Sequence, residues 1–407
     1  MKLIQTTIFL AIASLLSGSV LAATNCDKSY AFRADVPGSA GQTLCDSKAT
    51  AFIDALGNFN SSNLNYTNTS AALVNGRFSD VNVVMSYAAN STRLNYSFVE
   101  LGDSGSFQGA TRKESQKLLE DYLKKKGIIG QIMSYQAKNS PTSPISGTGG
   151  LIPMTISADF NASFTNSPTA GAGPNTSGAA SNNLIGANVV FGSYNIDNTS
   201  DRVTLIGVPL SYTIRNDIDP RRQLTFSLPV TIVRTGNAQT AQTGLGLSYR
   251  VPLSDNWTIT PAGRYSLVAS EDRATLSTLY SASVTSVYVI PMSSFDISIG
   301  NMLGYYKTGK FSSGDYSFNP EITSTAMRNG VMLSQPVNFG KKMTVEYSLV
   351  DTRFFGDKPF TDNLQEIGIS IGTNKSALDA RSFLRAGMNY MRGPGTNGIS
   401  ANVGYWF

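Results

Sequence analysis

Histidine is missing from all 407 residues. That absence removes the imidazole base of a Ser-His-acid triad and every histidine-containing metal site. Other routes to chemistry are thin. Gly393-Pro394-Gly395-Thr396-Asn397-Gly398 has the spacing of a dinucleotide-binding loop, but that motif works only at a strand-to-helix turn. Here it lies between two strand-like runs and reads as a glycine-rich turn. No two acidic residues stand out as a catalytic carboxylate pair. The expectation is therefore a chain that is not an enzyme, with no cofactor and no catalytic or metal site. Cys26 and Cys45 are the two cysteines. In an exported chain an even pair forms a disulfide, which would stabilise the start of the mature chain by roughly 3 kcal/mol.

Export is what the first residues predict. Lys2 is followed by an apolar run over Ile8–Leu16 and small residues at Ala22 and Ala23, so residues 1–23 read as a cleaved signal peptide. Asn25 before Cys26 argues against a lipid-modified cysteine. The net charge of +5 is scattered, and the one compact basic run, Lys124–Lys126, reads as a solvated helix face. No nucleic-acid partner is expected.

Residues 24–138 read as a small soluble α+β domain. Ser47–Leu56 has helical spacing. Val81, Val83, Met85 and Tyr87 alternate, as do Leu94, Tyr96 and Phe98, which makes a hairpin. Thr111 and Glu114 have capping-box spacing before the stripe Leu118, Leu119, Tyr122 and Leu123, and Gly127 ends that helix. Residues 139–183 read as a flexible linker rich in Pro, Gly, Ser, Thr and Asn, interrupted by Ile152, Met154, Ile156, Ala158 and Phe160, whose alternation predicts one strand.

From Leu184 onward the texture is different. Segments of about ten alternating residues recur, separated by turn residues, as membrane barrels require. Ile206, Val208, Leu210, Tyr212 and Ile214 share one face, and Ile367, Ile369 and Ile371 another. Hardly a charge interrupts the apolar faces, and aromatics gather near segment ends as interface girdles do. Residues 184–407 are thus expected to be an all-β transmembrane antiparallel barrel of about 12 strands, within a range of 10–14. An open sheet would leave edge amides unpaired in lipid, so the barrel must close. An even count places both barrel termini on one side. With Phe407 periplasmic, Ser254–Asn256, Pro291–Ser294 and Asn338–Lys342 are short periplasmic turns, while Thr235–Gln242, Ser270–Ser277, Lys307–Asn319 and Phe355–Asn363 are longer outer loops. The same parity puts residues 24–138 in the periplasm unless their linker threads the barrel. If the apolar residues face lipid, Arg250, Arg264, Asp296, Glu346, Glu366 and Arg385 line the lumen. There they either set a transverse field that selects solutes or pair into a plug.

The ending Asn402-Val403-Gly404-Tyr405-Trp406-Phe407, with Ile399, Ala401, Val403, Tyr405 and Phe407 in register, resembles the terminal strand of Gram-negative outer-membrane barrels. The resemblance covers 184–407 in texture and 399–407 in motif. It implies a cell outer-membrane location, lipid contact, and recognition of Tyr405 and Phe407 by the assembly machinery. The phospholipases and proteases among outer-membrane barrels need an imidazole base, so neither fits. One reading is a narrow, porin-like channel for small hydrophilic solutes with a periplasmic accessory domain. A second is similar to the translocator barrel of autotransporters, displaying the N-terminal domain as an adhesin or interaction module. Against it, Thr165–Asn183 is too rich in Gly, Pro and Asn for a pore-threading helix, and residues 24–138 lack the repeats of a β-helical stalk. A third is a structural barrel anchoring an envelope-binding domain.

Overall fold

The computed structural model describes residues 26–39, 41, 43–57, 65–165, 182–313, 316–337, 343–373 and 382–407. The expected signal peptide lies outside them. The chain divides into two units: the stretch through Gln136 with Asp272–Ala274, and Ala137–Glu271 with Thr275–Phe407.

The first unit is an antiparallel six-stranded sheet with the order β2-β1-β3-β4-β5-β6. Its strands are β1 (Tyr30–Asp35), β2 (Leu44–Asp46), β3 (Ala72–Phe78), β4 (Val81–Tyr87), β5 (Arg93–Phe98) and β6 (Asp103–Gln108). Cys26 and Cys45 are joined in a disulfide. Helix α1 (Ala49–Gly57) seats Phe52 against Phe32 and Phe78. The expected hairpin pairs Val83 with Phe98 and Tyr87 with Leu94. Its apolar face packs on Leu119 of α2 (Arg112–Lys125) and on Ile128 and Ile132 of α3 (Ile128–Asn139). Thr111 caps α2 by accepting from the Glu114 amide, and the Glu114 carboxylate accepts from the Ala110 amide. Gly127, at φ +63°, makes the left-handed turn that ends the helix.

The second unit is a closed antiparallel barrel of 12 strands. Two wall strands are split where a proline removes a ladder donor. β8 (Val203–Gly207) and β9 (Leu210–Arg215) are one strand interrupted at Pro209; β10 (Gln223–Leu228) and β11 (Val230–Thr235) are one interrupted at Pro229. The others are β7 (Leu184–Ile196), β12 (Ala238–Pro252), β13 (Trp257–Ser270), β14 (Thr275–Pro291), β15 (Asp296–Gly309), β18 (Thr323–Pro336), β19 (Met343–Gly356), β20 (Asn363–Thr373), β21 (Phe383–Gly393) and β22 (Thr396–Trp406). A small hairpin, β16 (Phe311–Ser313) and β17 (Tyr316–Phe318), sits in the loop after β15. Strand β22 pairs with β7 to close the ring, and the Phe407 and Ile185 backbones exchange hydrogen bonds of 3.0 and 2.8 Å.

The alternation has the sign expected in lipid. Ile206, Tyr212, Leu245, Ile367 and Val403 are exposed on the outside, while Thr213, Arg250, Ser266, Arg328 and Glu346 are buried inside. Loop lengths depart from expectation. Thr235 pairs with Ala238 across a two-residue turn, and Ser270 pairs with Thr275, so most of the first expected outer loop and half of the second is strand. Loops at the Phe407 end include 216–222, longer than either. Length therefore does not tell the two ends apart. Residues 338–342 lie outside the described chain.

The larger correction concerns 139–183. Residues 140–150 are packed into a buried, turn-rich coil, with the Gly147 amide on Ser143 O at 2.9 Å and the Thr148 amide on Pro141 O at 2.8 Å. In place of the expected strand at Ile152–Phe160 stands helix α4 (Leu151–Ser163). The apolar residues there alternate, but Leu151, Ile152, Thr155, Ile156, Asp159, Phe160 and Ser163 also repeat at helical spacing, and these are the ones buried. Pro153 fits because the first turn has no intrahelical partner for its missing N–H. Residues 166–181 of the expected linker lie outside the described chain.

Candidate functional site

The site is the lumen of the second unit, and α4 lies inside it. A helix in a barrel has no ladder to join, so side chains must hold it. Arg264 on β13 donates to Asp159 from Nε at 3.1 Å and Nη2 at 2.7 Å, with both side chains buried. A carboxylate removed from water is tolerated only with such a partner. At the next residue, the Phe160 ring lies 5.2 Å from the Arg328 guanidinium and 5.0 Å from the Phe164 ring. Gly300 on β15 and Gly330 on β18 make room for Phe164: a Cβ at either would stand 2.6 or 2.8 Å from its ring. Arg328 is itself held by Glu366, with contacts of 3.0 and 2.9 Å, and by Thr352 at 2.9 Å.

The ends of α4 are fixed at opposite depths. Arg250 Nη2 donates to the Ser163 carbonyl at 3.1 Å, which puts a cation at the negative end of the helix dipole. Arg250 stands two residues before the end of β12, on the Phe407 side of the barrel. Before the helix, Gln242 donates to the Gly149 carbonyl at 2.8 Å, and Thr148 bonds Thr396 at 3.1 Å beside the Pro394–Gly395 turn. Farther back, Lys138 pairs with Asp357 at 2.9 Å in the loop after β19. From residue 138 to residue 165 the chain thus runs down the lumen, from the mouth opposite Phe407 toward the mouth that bears it. Gly149 has φ +73° and a Cβ there would lie 3.2 Å from the Val203 side chain, so the coil above the helix needs a glycine at this point.

The six charged residues expected to line the lumen divide into groups. Arg250 and Arg264 hold the helix, and Glu366 holds it through Arg328. Arg385 pairs with Glu346, whose carboxylate also accepts from Ser334 at 3.4 Å and Ser370 at 3.1 Å. Asp296 stands apart at the base of β15, beside the 292–295 turn. Tyr405 and Phe407 face outward with rings 5.6 Å apart.

Sequence reasoning missed Asp159, Phe160, Phe164 and Arg328. One signal was present for Asp159: it is the one acidic residue between Asp121 and Asp197. Among the described residues no cluster of acidic or sulfur side chains is arranged to hold a metal ion.

No family model and no curated protein matches the chain. Among solved structures, the translocator domain of the autotransporter NalP from Neisseria meningitidis matches at 12% identity and TM-score 0.47, over 67% of this chain and 98% of that one. The β domain of the Bordetella autotransporter BrkA matches at 13% identity and TM-score 0.45, over 55% of this chain and 98% of that one. The NanC porin matches at 11% identity and TM-score 0.34, over 54% of this chain and 98% of that one.

Proposed function

We propose that this chain is an export and display barrel of the Gram-negative outer membrane, whose strands carry residues 24–138 to the cell surface and whose lumen then keeps residues 137–165 as a plug. The observation that carries this reading is the path of the chain through the lumen. Leu184 and Phe407 are neighbours at one mouth, as an even strand count requires, and on this reading that mouth is periplasmic. The chain just before α4 leaves by the other mouth, which supports display of residues 24–138 outside the cell. On this reading the linker threads the barrel, the condition under which the periplasmic position expected from parity does not apply. The pore-threading helix that the Gly-, Pro- and Asn-rich composition of Thr165–Asn183 does not suit is supplied upstream, by Leu151–Ser163.

On this reading the domain acts as a non-enzymatic adhesin or interaction module, and the outward Tyr405 and Phe407 are the residues offered to the assembly machinery. A wide solute pore is disfavoured, because the charges that would set its field are spent on the helix and on one another. Protease treatment of intact cells tests the proposal. Loss of the domain with retention of a heat-resistant barrel fragment is expected. Protection of the domain until the outer membrane is permeabilised would overturn it.

A further inference from the structure

Helix α4 leans on one arc of the wall, β13–β15. Between it and the opposite arc, β7–β12 and β20–β22, runs a cavity of about 320 Å³. Its lining reaches from Gly147 and Thr361 at one mouth to Gln223 and Trp406 at the other. The charged residues that border it are Asp159, Arg264 and Glu366, and each is in an ion pair, with Arg264, Asp159 and Arg328 respectively. The lane therefore carries no free charge among its described lining residues.

The wall here follows a rule. Strand register sets Trp406 opposite Gly186, Asn188 opposite Gly404, Asn402 opposite Gly387, and Asn389 opposite Gly368. A Cβ on those glycines would stand 2.4 Å from Trp406 Cδ1, 3.2 Å from Asn188 Oδ1, 3.2 Å from Asn402 Oδ1 and 2.2 Å from Asn389 Oδ1. Each amide, and the indole, lies down across the glycine of the next strand instead of projecting into the lumen. The result is a strip of flattened amides, with Ser348, Ser370 and Ser400 between them. Asn188 Oδ1 is buried at 7% residue exposure and has no hydrogen-bond partner among the described residues. A buried amide oxygen without a partner costs about 1–3 kcal/mol, a cost that a ligand hydroxyl relieves.

We propose that this strip binds uncharged polyhydroxylated solutes of mono- or disaccharide size. An amide offers a donor and an acceptor side by side, which match neighbouring hydroxyls of a sugar. Trp406 offers a flat apolar face with a polar edge, suited to a sugar ring. The absence of free charge leaves an ionic solute with nothing to offset its lost hydration. The cavity volume is at the lower end of the range for small-molecule sites, about 300–1,000 Å³. This goes beyond surface display and holds whichever side residues 24–138 occupy, since it concerns the wall across the lumen from the arc on which the plug leans.

Trp406 and Trp257 are the two tryptophans, and Trp257 lies on the lipid face bonded to Ser286, so a Trp257→Phe background isolates the lumen signal. The full chain in lipid vesicles is titrated with glucose and sucrose, and separately with glucuronate, glucosamine and tetraglycine. A saturable change in Trp406 emission is expected with the neutral sugars, at least tenfold weaker with the charged ones. Asn188→Leu and Asn402→Leu should each weaken sugar binding tenfold or more. Asn389→Ala, a smaller change to the wall, keeps the test available if a leucine variant does not assemble. The proposal is overturned by the lack of a saturable response to neutral sugar, by equal binding of glucuronate, by stronger binding of tetraglycine than of sugar, or by undiminished affinity in the assembled variants.

Discussion

The six-stranded sheet of the first unit and the wall of the second are both antiparallel, and in both the residue types alternate along each strand. The sheet turns Val83, Tyr96 and Phe98 toward its helices and leaves Ser104, Ser106 and Gln108 to water. The wall does the reverse, with Leu245, Ile367 and Val403 outside and Arg250, Arg328 and Glu346 inside. Period-two patterning thus fixes which residues share a face but not which face is the core. The surrounding solvent decides that: water drives apolar groups inward, and lipid lets them stay out while requiring every backbone group to be paired. The interiors are then held by different forces. The sheet relies on apolar packing and a disulfide, and the lumen on buried ion pairs.

The largest expected effect follows from that last difference. Arg264→Leu leaves Asp159 buried without its partner, a loss of about 3–5 kcal/mol for such pairs. Most of the cost should appear as release of the plug, so the 137–165 segment becomes open to protease while the wall stays assembled. Asp159→Leu should do the same, and the double leucine variant should recover much of the loss, because two matched apolar groups replace two charges. Additive damage in the double variant would show that the pair is not what seats the helix. In the first unit the matching change is Cys26→Ser with Cys45→Ser. Opening a loop of 19 residues costs roughly 3 kcal/mol. Urea unfolding followed by near-ultraviolet circular dichroism should show a weakened domain and an unaltered barrel.

A third contrast tests the two surfaces directly. Ile367 is 62% exposed on the outside of the wall, and in a water-soluble sheet such a residue would accept a charge freely. In lipid, Ile367→Arg should cost about 2–4 kcal/mol near the bilayer midplane, read from folding equilibria in vesicles. Ser106→Arg, on the water-exposed edge strand β6, should stay within about 0.5 kcal/mol of the parent. Equal costs at the two positions would mean that the outward apolar band does not meet lipid.

The sequence makes the wall legible because its strands are long and repeat one constraint many times. Ile206 through Ile214 and Leu224 through Ile232 face outward together even across Pro209 and Pro229, since a missing donor interrupts the ladder without shifting register. The α2 cap at Thr111 and its stop at Gly127 are legible for a local reason, as both are chemical statements about neighbouring residues. The plug is not local. Ile152, Met154, Ile156, Ala158 and Phe160 satisfy strand and helix spacing alike over so short a run, and the choice is made by Arg264, Arg250 and Gly300, which lie about a hundred residues or more downstream. The same holds for the lumen charges. Arg264 and Glu366 are readable as inward-facing, but Asp159, the partner of Arg264, is set by how the chain re-enters its own barrel, and Arg328, the partner of Glu366, lies on the less regular strand β18. Loop length misled for a related reason: Ala238 to Gln242 lack apolar residues of the usual size, yet they pair with their neighbours as strand.

The smallest expected effect lies at the mouth where the plug begins. Asp357 accepts from the Thr323 amide at 2.8 Å and pairs with Lys138 at 2.9 Å. Partial burial acts to raise its pKa, but the Thr323 amide and Lys138 together hold it below the ordinary aspartate value. A carboxyl whose folded value is depressed contributes stability above its unfolded pKa, about 3.9, and loses it as the pH falls through the lower, folded value. The attachment of residue 138 should therefore be constant from neutral pH down to about pH 4 and weaken below it. The pair is partly exposed, so the change should be at most about 1 kcal/mol. Hydrogen exchange at residues 137–150, followed from pH 6 to pH 3 and corrected for intrinsic rates, reads it out. In Asp357→Asn the acid dependence should flatten. An undiminished dependence in that variant would assign the acid sensitivity of the mouth to some other carboxyl.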